Sequence, residues 1–213
     1  MAYLLITRPN HDLATTYLYV WSQEIISLAK AKGIAIIDLE KEKVTRLSLE
    51  EYLANKRVGF VFMNGHGSED RIGGYLDETI IDESTKPELV KSSIIYARSC
   101  NAGKKLGVVL VNKGVRAFIG YKTNFSFHFT VGSTTRPKED RLAAKFLMPS
   151  NIVGSTLLKG GTAEEAHQRS KKLMTQNLYS LLSSTDKTFK DAAPAMYYNI
   201  MGQVLIGDPT AKI

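Results

Sequence analysis

Two residue types that do covalent chemistry together occupy matching places in this chain. His66 lies between Gly65 and Gly67, just after Asn64 and the apolar run VGFVFM (58 to 63). Cys100, the only cysteine, follows another apolar run, SIIYARS (93 to 99). A thiol attacks a carbonyl only as its thiolate, and an imidazole within hydrogen-bond range is its usual base. Acyl transfer also needs backbone N–H groups aimed at the developing oxyanion. Gly67 has no side chain to screen its amide, and a helix expected from about Ala102 to Asn112 would bring its N-terminal amides and dipole to Cys100. The flanking glycines let the backbone turn sharply at His66 and let a substrate come close. The other histidines fit less well: His167 falls inside a helix, His11 at the start of one, and His128 in an aromatic loop.

These side chains need a frame, and the pattern supplies one. YLLIT (3 to 7) reads as a strand broken by Arg8-Pro9-Asn10. Apolar residues then recur at helical spacing from Asp12 to Lys32, and Gly33 stands at the C-cap position. IAIIDL (34 to 39) is a second strand, and Ser48 to Glu51 reads as a capping box opening a short helix before the third strand, VGFVFM. SIIYARS is the fourth strand and VRAFIGY (115 to 121) the fifth. Strand and helix in alternation predict an α/β fold: a mostly parallel central sheet flanked by helices on both faces. Active sites in such sheets lie beyond the carboxyl ends of the strands. Arg8 to Asp12, Gly65 to Gly67 and Cys100 would share that edge.

The second half is less regular. Residues 121 to 137 form a long polar-aromatic loop, with Phe125, Phe127, His128 and Phe129 available to a substrate or to the core. Segments at Arg141 to Leu147 and Ile152 to Leu158 precede a helix from the capping box Thr162 to Glu165 to about Leu182. Residues 182 to 190 read as a loop. The tail holds a buried segment and a short strand, VLIG, closed by Gly207-Asp208-Pro209. Nothing divides residues 1 to 213 into two domains, so one α/β domain is expected.

Composition excludes several classes. The net charge is +7, but Lys41 with Lys43, Lys104 with Lys105, and Arg169 with Lys171 and Lys172 are separate clusters without interleaved aromatics. They predict a solvated surface and no nucleic-acid partner. No apolar run reaches the roughly 18 residues of a membrane span, and no leader pattern is seen, so the expected location is cytoplasmic. One cysteine forms no internal disulfide and no cysteine-rich zinc site, and neither metal nor cofactor is expected for the chemistry.

VFMNGHG and IIYARSCNAG resemble the His-Gly and Cys motifs of the caspase-like cysteine peptidases. With GVRAFIGY and VLIGDPTA, the likeness is nearest to the gingipain-type and CHAT-type domains of that clan. The resemblance implies a caspase–haemoglobinase fold with His66 as general acid or base and Cys100 as nucleophile. It also implies an oxyanion hole at the amides of Gly67 and Cys100, with Asn64 and Gly65 shaping the approach, and a peptide or protein as substrate. In this clan the loop after the first strand helps build the pocket before the scissile bond. Asp12 there suits a basic side chain and Arg8 an acidic one; the lean is to Lys or Arg, against the plainer reading of Asp12 as a helix cap.

Arg98, two residues before Cys100, departs from the acidic or small residue of many relatives; it either assists thiolate formation, points away from the active edge or pairs with an acid. Glu69, Asp70, Asp38 or a backbone carbonyl are the candidates to orient His66. Two other readings stay open. An amidotransferase-like hydrolase would take its base from His128 or His167, after the cysteine, although Arg98-Ser-Cys-Asn-Ala lacks the glycines of a nucleophile elbow. A catalytically silent, CHAT-like interaction module would keep the scaffold without turnover.

Overall fold

The computed structural model describes residues 2–213. The chain runs β1 (Tyr3–Arg8), α1 (Leu13–Ala31), β2 (Ile36–Glu40), α2 (Arg46–Asn55), β3 (Val58–Asn64), β4 (Arg71–Gly73), β5 (Thr79–Asp82), α3 (Pro87–Val90) and β6 (Ile94–Arg98). It continues through α4 (Leu106–Asn112), β7 (Ala117–Tyr121), α5 (Arg141–Leu158), α6 (Ala163–Leu182), α7 (Lys187–Asp191), α8 (Ala193–Gly202) and β8 (Gln203–Gly207).

Six strands form one sheet in the order β2-β1-β3-β6-β7-β8. All neighbours are parallel except β7 and β8. The central strands are apolar on both faces because both are covered, as a parallel sheet joined by crossover helices requires. Leu4, Ile6, Phe60, Phe62 and Tyr96 pack with α1, α5 and α6, whereas Leu5, Val61, Met63, Ile95 and Ala97 pack with α2, α4 and the β4–β5 hairpin. This is the predicted layered α/β sandwich.

Several local expectations change. α2 starts at Arg46, capped by Thr45, whose hydroxyl accepts from the Ser48 amide, so the cap lies three residues before the expected one. The helix after Cys100 begins only at Leu106, because turns at 101 to 105 tie the chain to the end of β7: Asn101 donates to the Thr123 carbonyl and Gly103 to that of Tyr121. Residues 141 to 158 are one helix running through Pro149, not two segments. Residues 187 to 191, expected as loop, form α7, capped by Asp186. The β4–β5 hairpin, too short to leave a period in the sequence, was not expected.

Candidate active site

The three expected segments meet at the carboxyl edge of the sheet. Asn64 of β3 is level with Arg98 of β6 in parallel register. His66 and Cys100 each lie two residues beyond that pair, in the loops that leave these hydrogen-bonded neighbouring strands. The His66 and Cys100 segments also touch directly. A Cβ placed on Gly67 would lie 2.8 Å from Cβ of Ser99 and 3.1 Å from the Cys100 carbonyl oxygen. Only glycine admits that approach, which explains one of the two glycines around His66.

The other, Gly65, has φ +148°, and a Cβ there would stand 2.2 Å from the Gly73 carbonyl oxygen. The hairpin strand β4 closes over this loop. The Gly73 amide donates to the His66 carbonyl at 2.9 Å, and the Ser68 amide to the Arg71 carbonyl at 3.0 Å. His66 is thereby held on a backbone pinned from both sides, with its side chain 43% exposed.

The residue that meets His66 is Asp12. Nε2 of His66 lies 2.5 Å from Oδ2 of Asp12. Asp12 is the N-cap of α1, and its carboxylate also accepts from the Thr15 amide and hydroxyl at 2.7 Å. Partial burial alone would raise its pKa, but the Thr15 amide, His66 and the Thr15 hydroxyl outweigh it and bring the carboxyl down to about 2. At neutral pH Asp12 is therefore an acceptor, so Nε2 of His66 carries the proton and, in the neutral ring, Nδ1 is the basic nitrogen.

The expected orienters are engaged elsewhere: Asp38 with Arg8, Glu69 with Lys104, and Asp70 with Ser68. Sequence reasoning placed Asp12 on this edge without joining it to His66. The signal was the position of Asp12 at the start of α1, which aims its carboxylate along the edge.

Cys100 is half-buried, and its sulfur lies 3.8 Å from the Phe125 carbonyl oxygen. Burial pushes the thiol above its ordinary pKa, with the Phe125 main chain acting the other way. Among the described residues, Cys100 Sγ has no hydrogen bond to His66. The expected support from a helix N-terminus is lost, since α4 starts six residues downstream.

Arg8, Asn64 and Arg98 form the underpinning of the edge. Asn64 bonds Thr7 of β1 through its amide (3.0 Å) and its Nδ2 (2.6 Å), and Nε of Arg98 donates to Asn64 Oδ1 at 2.7 Å. Arg98 is fully buried over the Phe62 ring, with Nη1 donating to Ser150 and Asn151 and Nη2 to the Leu18 carbonyl. Burial without a carboxylate partner lowers its pKa to about 10, against the pull of Tyr96, Tyr121 and Glu24. Its side chain is directed into the core, away from Cys100. Arg8 is buried between Asp38, Glu40 and the Tyr19 ring. His128 stacks on Phe146 beside a groove of about 460 Å³ that Asn124, Ser126, Pro194 and Tyr198 also line. Phe127 and Phe129 of the same loop pack on Tyr17, and Phe125 on Tyr121, which takes these rings into the core. His167 is buried within α6.

No protein-family model matches the chain, and no curated protein matches it. Among solved structures, the complex of Porphyromonas gingivalis RgpB pro- and mature domains is similar at a TM-score of 0.61 and 13% identity, over 98% of this chain. The Arg-specific cysteine proteinase gingipain R is similar at the same TM-score and identity, over the whole chain. This chain spans 47% of the length of each, about half. At that identity the likeness bears on fold, and the fold is the caspase-like α/β sandwich that these cysteine peptidases share.

Proposed function

We propose that the protein is a cysteine endopeptidase in which Cys100 forms the acyl-enzyme and His66 moves the proton. The observation that carries this reading is the pairing of Asp12 with Nε2 of His66 on a loop that packs directly against Ser99 and Cys100. Nδ1 of His66 takes the thiol proton, and the sulfur attacks the scissile carbonyl. The same nitrogen then returns the proton to the leaving amine, and water completes the cycle through the reverse exchange. Among the described residues, the amides of Gly67 and Cys100 donate to no turn, loop or side-chain acceptor, which leaves them for the oxyanion. The groove beside His128 borders the loop whose Phe125 carbonyl meets the sulfur, and we assign it to a substrate side chain.

Cleavage after Lys or Arg is the finer part of the proposal. Asp12 is committed to His66 and Thr15, so we assign a basic side chain to Asp77, which is 55% exposed and lines a small cavity with His66, apart from the His128 groove. An acidic preference set by Arg8 has less support, because that guanidinium is already paired.

A second reading, the silent interaction module, is favoured by one observation: Cys100 is held as a protonated, half-buried thiol on a main-chain carbonyl. The amidotransferase-like alternative has less support, since His128 packs on Phe146 and His167 lies inside α6. A fluorogenic peptide panel with Arg, Lys, Asp, Asn or Leu before the cleaved bond, run on wild type and Cys100→Ala, tests the proposal. Turnover by wild type alone supports it. Equal signals from both proteins remove peptidase activity, and a Cys100 that resists alkylation then favours the silent module.

A further inference from the structure

His11 is the least satisfied polar side chain near the site. It is only 7% exposed, and neither Nδ1 nor Nε2 has a hydrogen-bond partner. An imidazole buried in this way forfeits its hydration without replacement, which ordinarily costs enough to select against the arrangement. Its ring is packed edge-on against His66 (centroids 6.0 Å apart) and Tyr75 (5.6 Å). Nε2 of His11 lies 4.0 Å from Oδ2 of Asp12 and 3.5 Å from Oδ1 of Asp77, without hydrogen-bond alignment. Donor atoms of His11, Asp12 and His66 all fall within 4.8 Å of one another.

The His11 spacings fit an ion better than they fit hydrogen bonds. Ligand atoms on a tetrahedral zinc ion stand about 3.3 Å apart, given metal–ligand bonds of about 2.0 to 2.1 Å. The two His11 spacings need to close by under 1 Å and the His66–Asp12 contact to open by a similar amount. Two imidazoles and two carboxylates form a nitrogen–oxygen donor set suited to zinc and poorly suited to calcium or magnesium, which prefer oxygen alone. Arg71, which lines the small cavity with His66 and Asp77, is the opposing charge, but its Nη1 is turned to Thr79.

We propose that His11, Asp12 and His66, joined on binding by the exposed Asp77 side chain, form a site for a zinc-class divalent cation and that filling it switches off the His66–Cys100 pair. The inhibitory part rests on the peptidase reading; the binding part does not. On binding, the metal takes the Nε2 lone pair of His66 in place of the proton shared with Asp12. That proton returns to the ring on Nδ1, so the imidazole stays neutral but its remaining nitrogen no longer accepts from the thiol. The site therefore uses the orienting carboxylate and the base together, without occupying the sulfur.

The test is a titration of the full chain with Co²⁺ as spectroscopic probe, followed by Zn²⁺ competition, on wild type, His11→Ala, Asp77→Asn and Cys100→Ala. One Co²⁺ per chain with intense visible absorption, displaced by Zn²⁺ and unaffected by millimolar Mg²⁺ or Ca²⁺, is the expected result. Cys100→Ala keeps this signal, whereas His11→Ala and Asp77→Asn each weaken binding about tenfold or more. Asp77 is exposed, so its variant reports on binding without disturbing the core. Absence of saturable binding, or equal affinity in wild type and both ligand variants, overturns the site. Loss of absorption in Cys100→Ala would place the thiol among the ligands and overturn this donor set. Cleavage unchanged at saturating Zn²⁺, or a metal-free wild type that cleaves no peptide, leaves the site standing and removes the inhibitory role.

Discussion

Oδ2 of Asp12 and Nε2 of His66 meet at 2.5 Å across 54 residues of chain, joining the first turn of α1 to the loop after β3. This contact makes one carboxylate serve two purposes, capping a helix and setting which imidazole nitrogen is free. The two purposes separate experimentally, since helix capping accepts Asn about as well as Asp whereas a charged acceptor for imidazolium does not survive the change.

Asp12→Asn should lower kcat/KM by about 10²-fold or more, the range of a general acid–base contribution, with a urea midpoint close to wild type. Asp12→Ala should lose activity and also about 0.5 to 2 kcal/mol of stability. Kinetics beside equilibrium unfolding check this; full activity in the Asn variant would remove Asp12 from the site.

Gly67→Ala tests the packing of the His66 loop on the Cys100 segment. Its methyl would stand 2.8 Å from Ser99 Cβ, so the segments must part, at a cost of about 1 to 3 kcal/mol. The protein should stay folded by circular dichroism while peptide turnover falls at least as far as stability predicts. Unchanged turnover would separate these segments from catalysis.

Arg98 should behave as a structural residue. Arg98→Ala leaves Asn64, Ser150 and Asn151 short of a donor and opens a cavity over Phe62, so a loss of about 3 kcal/mol or more is expected in urea unfolding. A stability within about 0.5 kcal/mol of wild type would contradict the buried network.

Cys100 titrates above an ordinary thiol in the free protein, because burial disfavours the thiolate. The rate of alkylation by iodoacetamide should rise with pH about a midpoint higher than that of free cysteine. The sign for stability follows: the folded chain holds this proton more tightly than the unfolded one. Its contribution is complete below the ordinary thiol pKa and is lost as pH rises through the folded value. An alkylation midpoint below that of free cysteine would mean a resting thiolate and sink this account of the thiol.

What could be read from the chain depended on the range of the physics. β1, β3, β6 and β7 were legible as short apolar runs, and α1 and α6 as long helical periods with caps, because those signals are local. The α2 start was misplaced by three residues because Thr45 and Ser48 are both good caps, and a single hydrogen bond decides between them. The early helix at Ala102 failed because turns tied to Thr123 and Tyr121, distant in sequence, hold residues 101 to 105.

By itself the sequence determined that His66 and Cys100 end neighbouring strands, since glycines, apolar runs and crossover handedness dictate the edge on which each loop emerges. Only the tertiary structure decided what each polar side chain on that edge faces. Asp12 turned to His66, Arg98 to Asn64 and the core, and His11 to a cluster of donors that leaves it unbonded. The reason is that strand order follows from patterns a few residues long. Pairing among charged side chains is settled by ångström-scale distances between segments the chain brings together only once it has folded.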